Sequence, residues 1–199
     1  MKKVPHLKQV KQAKELEQYS QTYEQYAGLP IPTTYLNNPH NRIFACYHQN
    51  KMIGGFILGQ GERLRTVEVF AEEKARGPLY QRFAPIHTYT EITCFWMSPT
   101  IRKHTLLNTF VWLALTYCMQ RYSNAHILFG TCSTPLARLY GITEKSRLIH
   151  QDVMEGKRTY IFESAKKESL LGFLEILRYK LKRSFRIQKG KKAWVKLIS

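Results

Sequence analysis

Acid is what this chain has least of: 14 Asp and Glu stand against 31 Lys and Arg in 199 residues, a formal net charge of +17. A field of that size draws in anions, whether nucleic acid, anionic lipid, phosphorylated cofactors or acidic proteins, and charge alone does not choose among them. Long hydrophobic runs are missing too. The longest, LLNTFVWLALTYCM from Leu106 to Met119, has 14 residues, whereas a membrane-spanning helix needs about 20, so it reads as a core helix. The opening MKKVPHLKQVKQ carries cations with no apolar segment behind them; no signal or transit peptide is expected, and the expected location is cytoplasmic. The four cysteines, Cys46, Cys94, Cys118 and Cys132, show no CxxC spacing and sit among apolar or β-branched neighbours, so all four are expected as buried, reduced thiols. His6, His40, His48, His87, His126 and His150 form no HxH or HExxH pattern, and no metal is expected. Ser133 lacks a G-x-S-x-G setting, which argues against a covalent acyl-enzyme. Dinucleotide and Walker motifs are absent as well, GQGERL at 59–64 being only a glycine pair.

What is present suffices for one folded domain: 44% hydrophobic residues over this length can bury a full core. The pattern divides into a domain at 1–165 and a basic extension at 166–199. Leu7, Val10, Leu16, Tyr19, Tyr23 and Tyr26 recur at three- and four-residue steps, which predicts a first helix from Leu7 to Tyr26, ended by GLPIP. IFACYH and MIGGFIL, joined by the turn QNK, predict a hairpin. TVEVF resembles a short strand within an otherwise irregular stretch at 59–85. HTYTEITCFWM, His87 to Met97, is the strongest strand signal, and a loop, TIRKH, follows it. Thr105 to Arg121 is apolar nearly all round, the mark of a buried helix. HILFGTC is a strand, and Thr134 stands as an N-cap before Pro135 and the short helix LARLY. A last hairpin turns at Glu155-Gly156. From Lys166 to about Arg186, Leu170, Phe173, Leu174, Leu177 and Leu181 form one stripe expected to pack on the domain, opposite a cationic face. Strands that follow one another as well as alternating with helices give an α+β fold with a mixed, mainly antiparallel sheet.

That order, over roughly Leu7 to Ser164, resembles the GNAT (GCN5-related N-acetyltransferase-like) acyltransferase superfamily. MIGGFIL is similar to the third strand of that family. EITCFWMSPTIRKHTLL is similar to its fourth strand and phosphate loop, written as an acidic strand residue and then V-x-P-x-x-R-x-x-G-x-G. Met97, Pro99 and Arg102 fall on the V, P and R. Thr105 and Leu107 stand at the two glycine positions, where glycine lets backbone amides approach a pyrophosphate. TPLARLYG is similar to the short fourth helix, N-x-x-A-x-x-x-Y, with Ala137 on the alanine and Tyr140 near the tyrosine. A weaker likeness is to acyl-homoserine-lactone and N-acyl amino acid synthases, whose E-x-x-R-F-x-V strand is echoed by Glu91 to Met97 with Cys94 in place of the arginine.

The resemblance implies direct attack of an amine on a thioester, with the strands at 88–97 and 126–132 parallel and splayed around the thioester arm. Glu91 would be the base that takes the proton of the amine. Backbone N–H groups near Phe95, Trp96 and Met97 would stabilise the oxyanion, and Tyr140 would protonate the leaving thiolate. Arg102, Lys103 and His104 before the helix at Thr105, Leu106 and Leu107 combine side-chain charge with free backbone donors, an arrangement for phosphate. The donor implied is acyl-CoA or a phosphopantetheine-linked acyl group on acyl carrier protein, because Leu106 and Leu107 would narrow a diphosphate cradle. The acceptor implied is an amine on a small molecule or peptide. The alternative reading is a basic binding module for nucleic acid or an anionic membrane surface, on a GNAT-like fold that has lost catalysis.

Overall fold

The computed structural model describes residues 4–68, 73–83, 85–141, 145–154, 157–172, 174–176 and 178. The hairpin predicted at the start of the domain is present as β2 (Arg42–His48) and β3 (Lys51–Gly59). Gln49 and Asn50, with φ of 51° and 60°, make the two-residue left-handed turn that matches the twist of paired strands.

The expected first helix is instead a strand, β1 (His6–Val10), followed by α1 (Ala13–Ala27). The reason lies in the spacing: residues three apart share a face in a helix but lie on opposite faces in a strand. Leu7 packs against the core on one side of the sheet and Val10 belongs to the core on the other, so each finds burial only as part of β1 against β2. Gly28, at φ 70°, ends α1, where the sequence GLPIP marks a stop.

After the short helical turn α2 (Thr33–Leu36) and the β2–β3 hairpin come α3 (Arg65–Glu68), α4 (Glu73–Arg82) and β4 (Tyr89–Met97). TVEVF is therefore not a strand in its described part; residues 65–68 form a helical turn, and the last two residues of the motif lie outside the described set. The loop TIRKH is likewise partly helical, as α5 (Pro99–Arg102). α6 (Thr105–Tyr122), β5 (His126–Thr131), α7 (Thr134–Gly141), β6 (Arg147–Met154) and β7 (Lys157–Ala165) complete the order. Thr134 is the first residue of α7 rather than its cap. The residue before it, Ser133, takes that place, its carbonyl accepting from Ala137 N at 2.8 Å and its hydroxyl from Leu136 N at 3.4 Å. The turn at Glu155-Gly156 lies outside the described residues.

Seven strands form one mixed sheet in the order β1-β2-β3-β4-β5-β7-β6, and β4–β5 is its parallel pair. α6 covers one face through Val111, Trp112, Leu115 and Met119. On the opposite face α1 packs Tyr19 and Tyr23 on Ile57 and Trp96, while Val67 of α3 and Leu79 of α4, with Leu64 just before α3 and Phe83 just after α4, cluster with Tyr89, Leu128 and Ile161. Residues 166–172, 174–176 and 178 are helical. Of the stripe expected to pack, Leu170 and Leu174 are exposed, at 40% and 49%, while Ile176 is buried; Phe173, Leu177, Leu181 and the cations beyond Arg178 lie outside the described residues. Cys46, Cys94 and Cys118 are buried free thiols as expected, whereas Cys132 is exposed. Among the described residues no helix is long and apolar enough to cross a membrane, and no group of side chains could hold a metal ion.

Candidate active site

Parallel pairing of β4 with β5 runs from Tyr89↔His126 to Ile92↔Phe129 and stops there. Beyond that point the two strands splay, so the edge of β4 from Thr93 onward has no ladder partner in β5. The same stretch carries a bulge: against β3, Thr93 faces Ile57 and Trp96 faces Gly55, leaving Cys94 and Phe95 opposite the single residue Phe56. Cys94 takes φ of 50°, a left-handed conformation that costs a non-glycine residue about 1–2 kcal/mol. The buried Tyr19 hydroxyl donates to the Cys94 carbonyl at 2.9 Å and fixes the bulge in place.

A cavity of about 560 Å³ opens at the splay, lined from both faces of the sheet. On the α1 side its wall includes Tyr23, Tyr26, Arg65, Thr66 and Thr93; on the α6 side it includes Trp112, Leu115, Met119, Ile92 and Ile127. Of the residues singled out from sequence, Phe95, Trp96, Met97, Arg102 and Tyr140 line it together. Glu91, Lys103, His104, Leu106 and Leu107 are not among its lining residues.

Glu91 sits one strand position before that wall, and its surroundings explain both its burial and the helical turn beside it. It is 1% exposed. Its Oε1 accepts from the Tyr35 hydroxyl at 2.6 Å and from Arg65 N at 2.9 Å, while Oε2 accepts from Thr66 N at 2.8 Å and the Thr66 hydroxyl at 2.9 Å. The amides at the start of a helical turn have no partner within the turn, and Glu91 supplies one, which is why 65–68 coil. Burial raises the Glu91 carboxyl above its ordinary pKa, and the hydrogen bonds from Tyr35, Thr66 and Arg65 oppose that rise. Burial, and then the Glu91 carboxylate, push the Tyr35 hydroxyl upward in turn. The Tyr35 oxygen also lies 2.9 Å from Thr93 Oγ1. A chain of three groups, Thr93, Tyr35 and Glu91, therefore runs from the cavity wall to the buried carboxylate. No local sequence pattern marks Tyr35, because its two partners are 56 and 58 residues away.

Tyr140 is packed edge-on against Phe129 and Phe162, with ring centroids 4.8 and 5.5 Å away. Burial pushes its hydroxyl upward, so it carries its proton at neutral pH. At the other end of β4, Arg102 Nε donates to the Met97 carbonyl at 3.1 Å. His104 caps α6: its Nδ1 accepts from Leu107 N at 3.3 Å, which occupies one of the donors that a phosphate would use. Lys103 is exposed and Leu106 is 77% exposed. Arg65, missed in the sequence, lies over the Tyr35 ring at 5.5 Å and donates from Nη2 to the Pro30 carbonyl at 3.0 Å. Among the described lining residues there is no Asp or Glu.

By sequence, no family model and no curated protein matches the chain. By structure it is similar to an N-acyl amino acid synthase from uncultured soil microbes, at 13% identity and a TM-score of 0.61 over 83% of this chain and 92% of that one. It is similar also to the ribosomal-protein alanine N-acetyltransferase of Escherichia coli, at 8% identity and a TM-score of 0.55, over 81% and 94% of the two chains. A third similar structure is the spermidine N-acetyltransferase of Vibrio cholerae in complex with CoA and spermine, at 14% identity and a TM-score of 0.53, over 83% and 98%. The chain has the GNAT fold, in a form divergent in sequence.

Proposed function

We propose that this chain is an N-acyltransferase that moves an acyl group from a thioester, acyl-CoA or acyl carrier protein, to an amine by direct attack. The observation that carries the reading is the splay of β4 from β5 after Ile92↔Phe129 beside a cavity lined from both faces of the sheet. A thioester arm entering from the Arg102 and Tyr140 side would meet an amine entering from the Tyr23, Tyr26 and Arg65 side. The amine nitrogen bonds the carbonyl carbon, the carbon–sulfur bond breaks, one N–H proton goes to the protein and one proton goes from the protein to sulfur.

Each step is assigned a group. Glu91, its carboxyl raised by burial, takes the amine proton through the Thr93 and Tyr35 hydroxyls. The bulged backbone at Phe95 to Met97 supplies the oxyanion donors in a water-poor setting. Tyr140, protonated at neutral pH, returns a proton to the thiolate. Exposed Arg102 and Lys103 meet the phosphates of CoA or of phosphopantetheine, with His104 and the start of α6 at Thr105, Leu106 and Leu107 framing the entrance. With Arg65 and Arg102 in its lining and no carboxylate among its described residues, the cavity favours a neutral or anionic amine over a polyamine.

Tyr35→Phe tests the relay with least disturbance, because Glu91 keeps Arg65 and Thr66. Turnover should fall by roughly 10²–10⁴-fold, the usual worth of a general base, with a stability loss of about 1–3 kcal/mol for the hydrogen bond taken from the buried carboxylate. The defect should shrink at alkaline pH, where hydroxide can take the N–H proton in place of the relay. A wild-type rate at every pH would remove Glu91 and Tyr35 from the reaction.

A further inference from the structure

The helical residues after β7 lie outside the chemistry just described, yet three of them, Ser169, Gly172 and Ile176, line the same cavity. We propose that this segment forms the closed end of the acyl channel, and that Gly172 and Ile176 set the longest chain the channel accepts. The donor then carries a medium to long straight alkyl chain rather than acetyl. The inference rests on the acyltransferase reading above and adds to it the acyl class and the residues that measure it.

The segment is anchored where a wall must be rigid. Lys166 N donates to the Ala125 carbonyl at 2.8 Å and Lys166 Nζ to the Ser123 carbonyl at 2.7 Å. Gln120 on α6 donates to the Lys166 carbonyl at 3.0 Å and to Ser169 Oγ at 3.1 Å. The segment then presents Gly172 and Ile176, four residues apart and both buried, to the cavity, while Leu170, Leu171 and Leu174 face outward.

The same cavity is lined by Trp112, Leu115 and Met119 of α6. The hydroxyls that α6 and this segment bring to the cavity are turned to backbone, Thr116 Oγ1 donating to the Trp112 carbonyl at 2.9 Å and Ser169 Oγ to the Lys166 carbonyl at 2.7 Å. What remains for a ligand is an apolar surface, which an acetyl group does not need and an alkyl chain fills. At 172 the cavity lining is a glycine, with no side chain of its own to project into the space.

The test measures transfer from acetyl, hexanoyl, decanoyl and palmitoyl thioesters of CoA, alongside the melting temperature in the presence of decanoate and palmitate. Wild type should prefer a longer thioester to acetyl and melt higher with the matching fatty acid. Gly172→Leu should move the preferred chain shorter, cutting use of the longest accepted chain roughly tenfold or more while hexanoyl transfer continues. Ile176→Ala should move it longer, and decides the matter if Gly172→Leu does not fold. Preference for acetyl in wild type, or the same profile in folded variants, would overturn the wall and leave acyl transfer standing. A melting shift with decanoate that Gly172→Leu abolishes, with no transfer from any thioester, would keep the wall and overturn the acyltransferase reading.

Discussion

In the proposed reaction Glu91 has two tasks in one carboxylate, and they leave different signatures. As a clamp it holds the amides of Arg65 and Thr66; as a base it is reached through Tyr35 and Thr93. Glu91→Gln should therefore lower transfer by roughly 10²–10⁴-fold and also cost stability, about 1–3 kcal/mol, because the amide nitrogen of glutamine cannot accept from the donors around it. The pH dependence has a definite sign. A carboxyl raised by burial holds its proton more tightly in the folded chain, so its contribution to stability falls as pH rises above the ordinary value of 4.5. Activity moves the other way, rising as Glu91 ionises. Urea titrations across pH should show that decline in wild type and lose it in Glu91→Gln. A Cβ at Gly59 would lie 2.6 Å from the Tyr35 oxygen and 2.7 Å from Glu91 Oε1, so Gly59→Ala should part this pair and reduce turnover without touching the cavity lining. At this scale the family resemblance singled out Glu91, whereas nothing in the sequence marked Tyr35, Thr66 and Arg65, since the chain brings them to Glu91 from 56, 25 and 26 residues away.

In the proposed site the organising element is the bulged end of β4. Its left-handed Cys94 is held by one buried hydroxyl, so Tyr19→Phe should cost about 1–3 kcal/mol and slow transfer by relaxing the bulge. Thermal melting and turnover measured on the same sample check both, and a full-rate, full-stability variant would show that the bulge needs no such support. Elements with a strong period of their own were readable: β4 from its Thr, Ile and aromatic run, α6 from apolar residues all round, and the β2–β3 hairpin from its turn. β1 was not, because Leu7 and Val10 fit a helical step and only pairing with β2 reveals the strand. The turn at 65–68 escaped because a carboxylate 25 residues away decides it. The segment after β7 was expected to pack by its leucine stripe; of its described residues Leu170 and Leu174 are exposed, while Gly172 and Ile176 are buried.

For the whole molecule the surplus of 17 positive charges bears on which donor arrives. Acyl carrier proteins are acidic, and exposed charge pairs are screened over about 8–10 Å at 0.1–0.15 M salt. Transfer from a carrier-bound chain should accordingly weaken as salt rises. Replacing Lys180, Lys182, Arg183 and Arg186 by glutamine should raise the KM for that donor and leave small acyl-CoA turnover nearly unchanged; equal loss with both would assign these cations to a shared phosphate site. The central claim, that the splay between β4 and β5 is where an amine meets a thioester, is tested most directly by mass spectrometry of products. The protein is incubated with decanoyl-CoA and a mixture of amino acids and simple amines. The account predicts an N-decanoyl amide and free CoA in equal amounts, both lost in Tyr35→Phe. Free CoA with decanoic acid and no amide, or no consumption of any acyl thioester by folded protein, would contradict it.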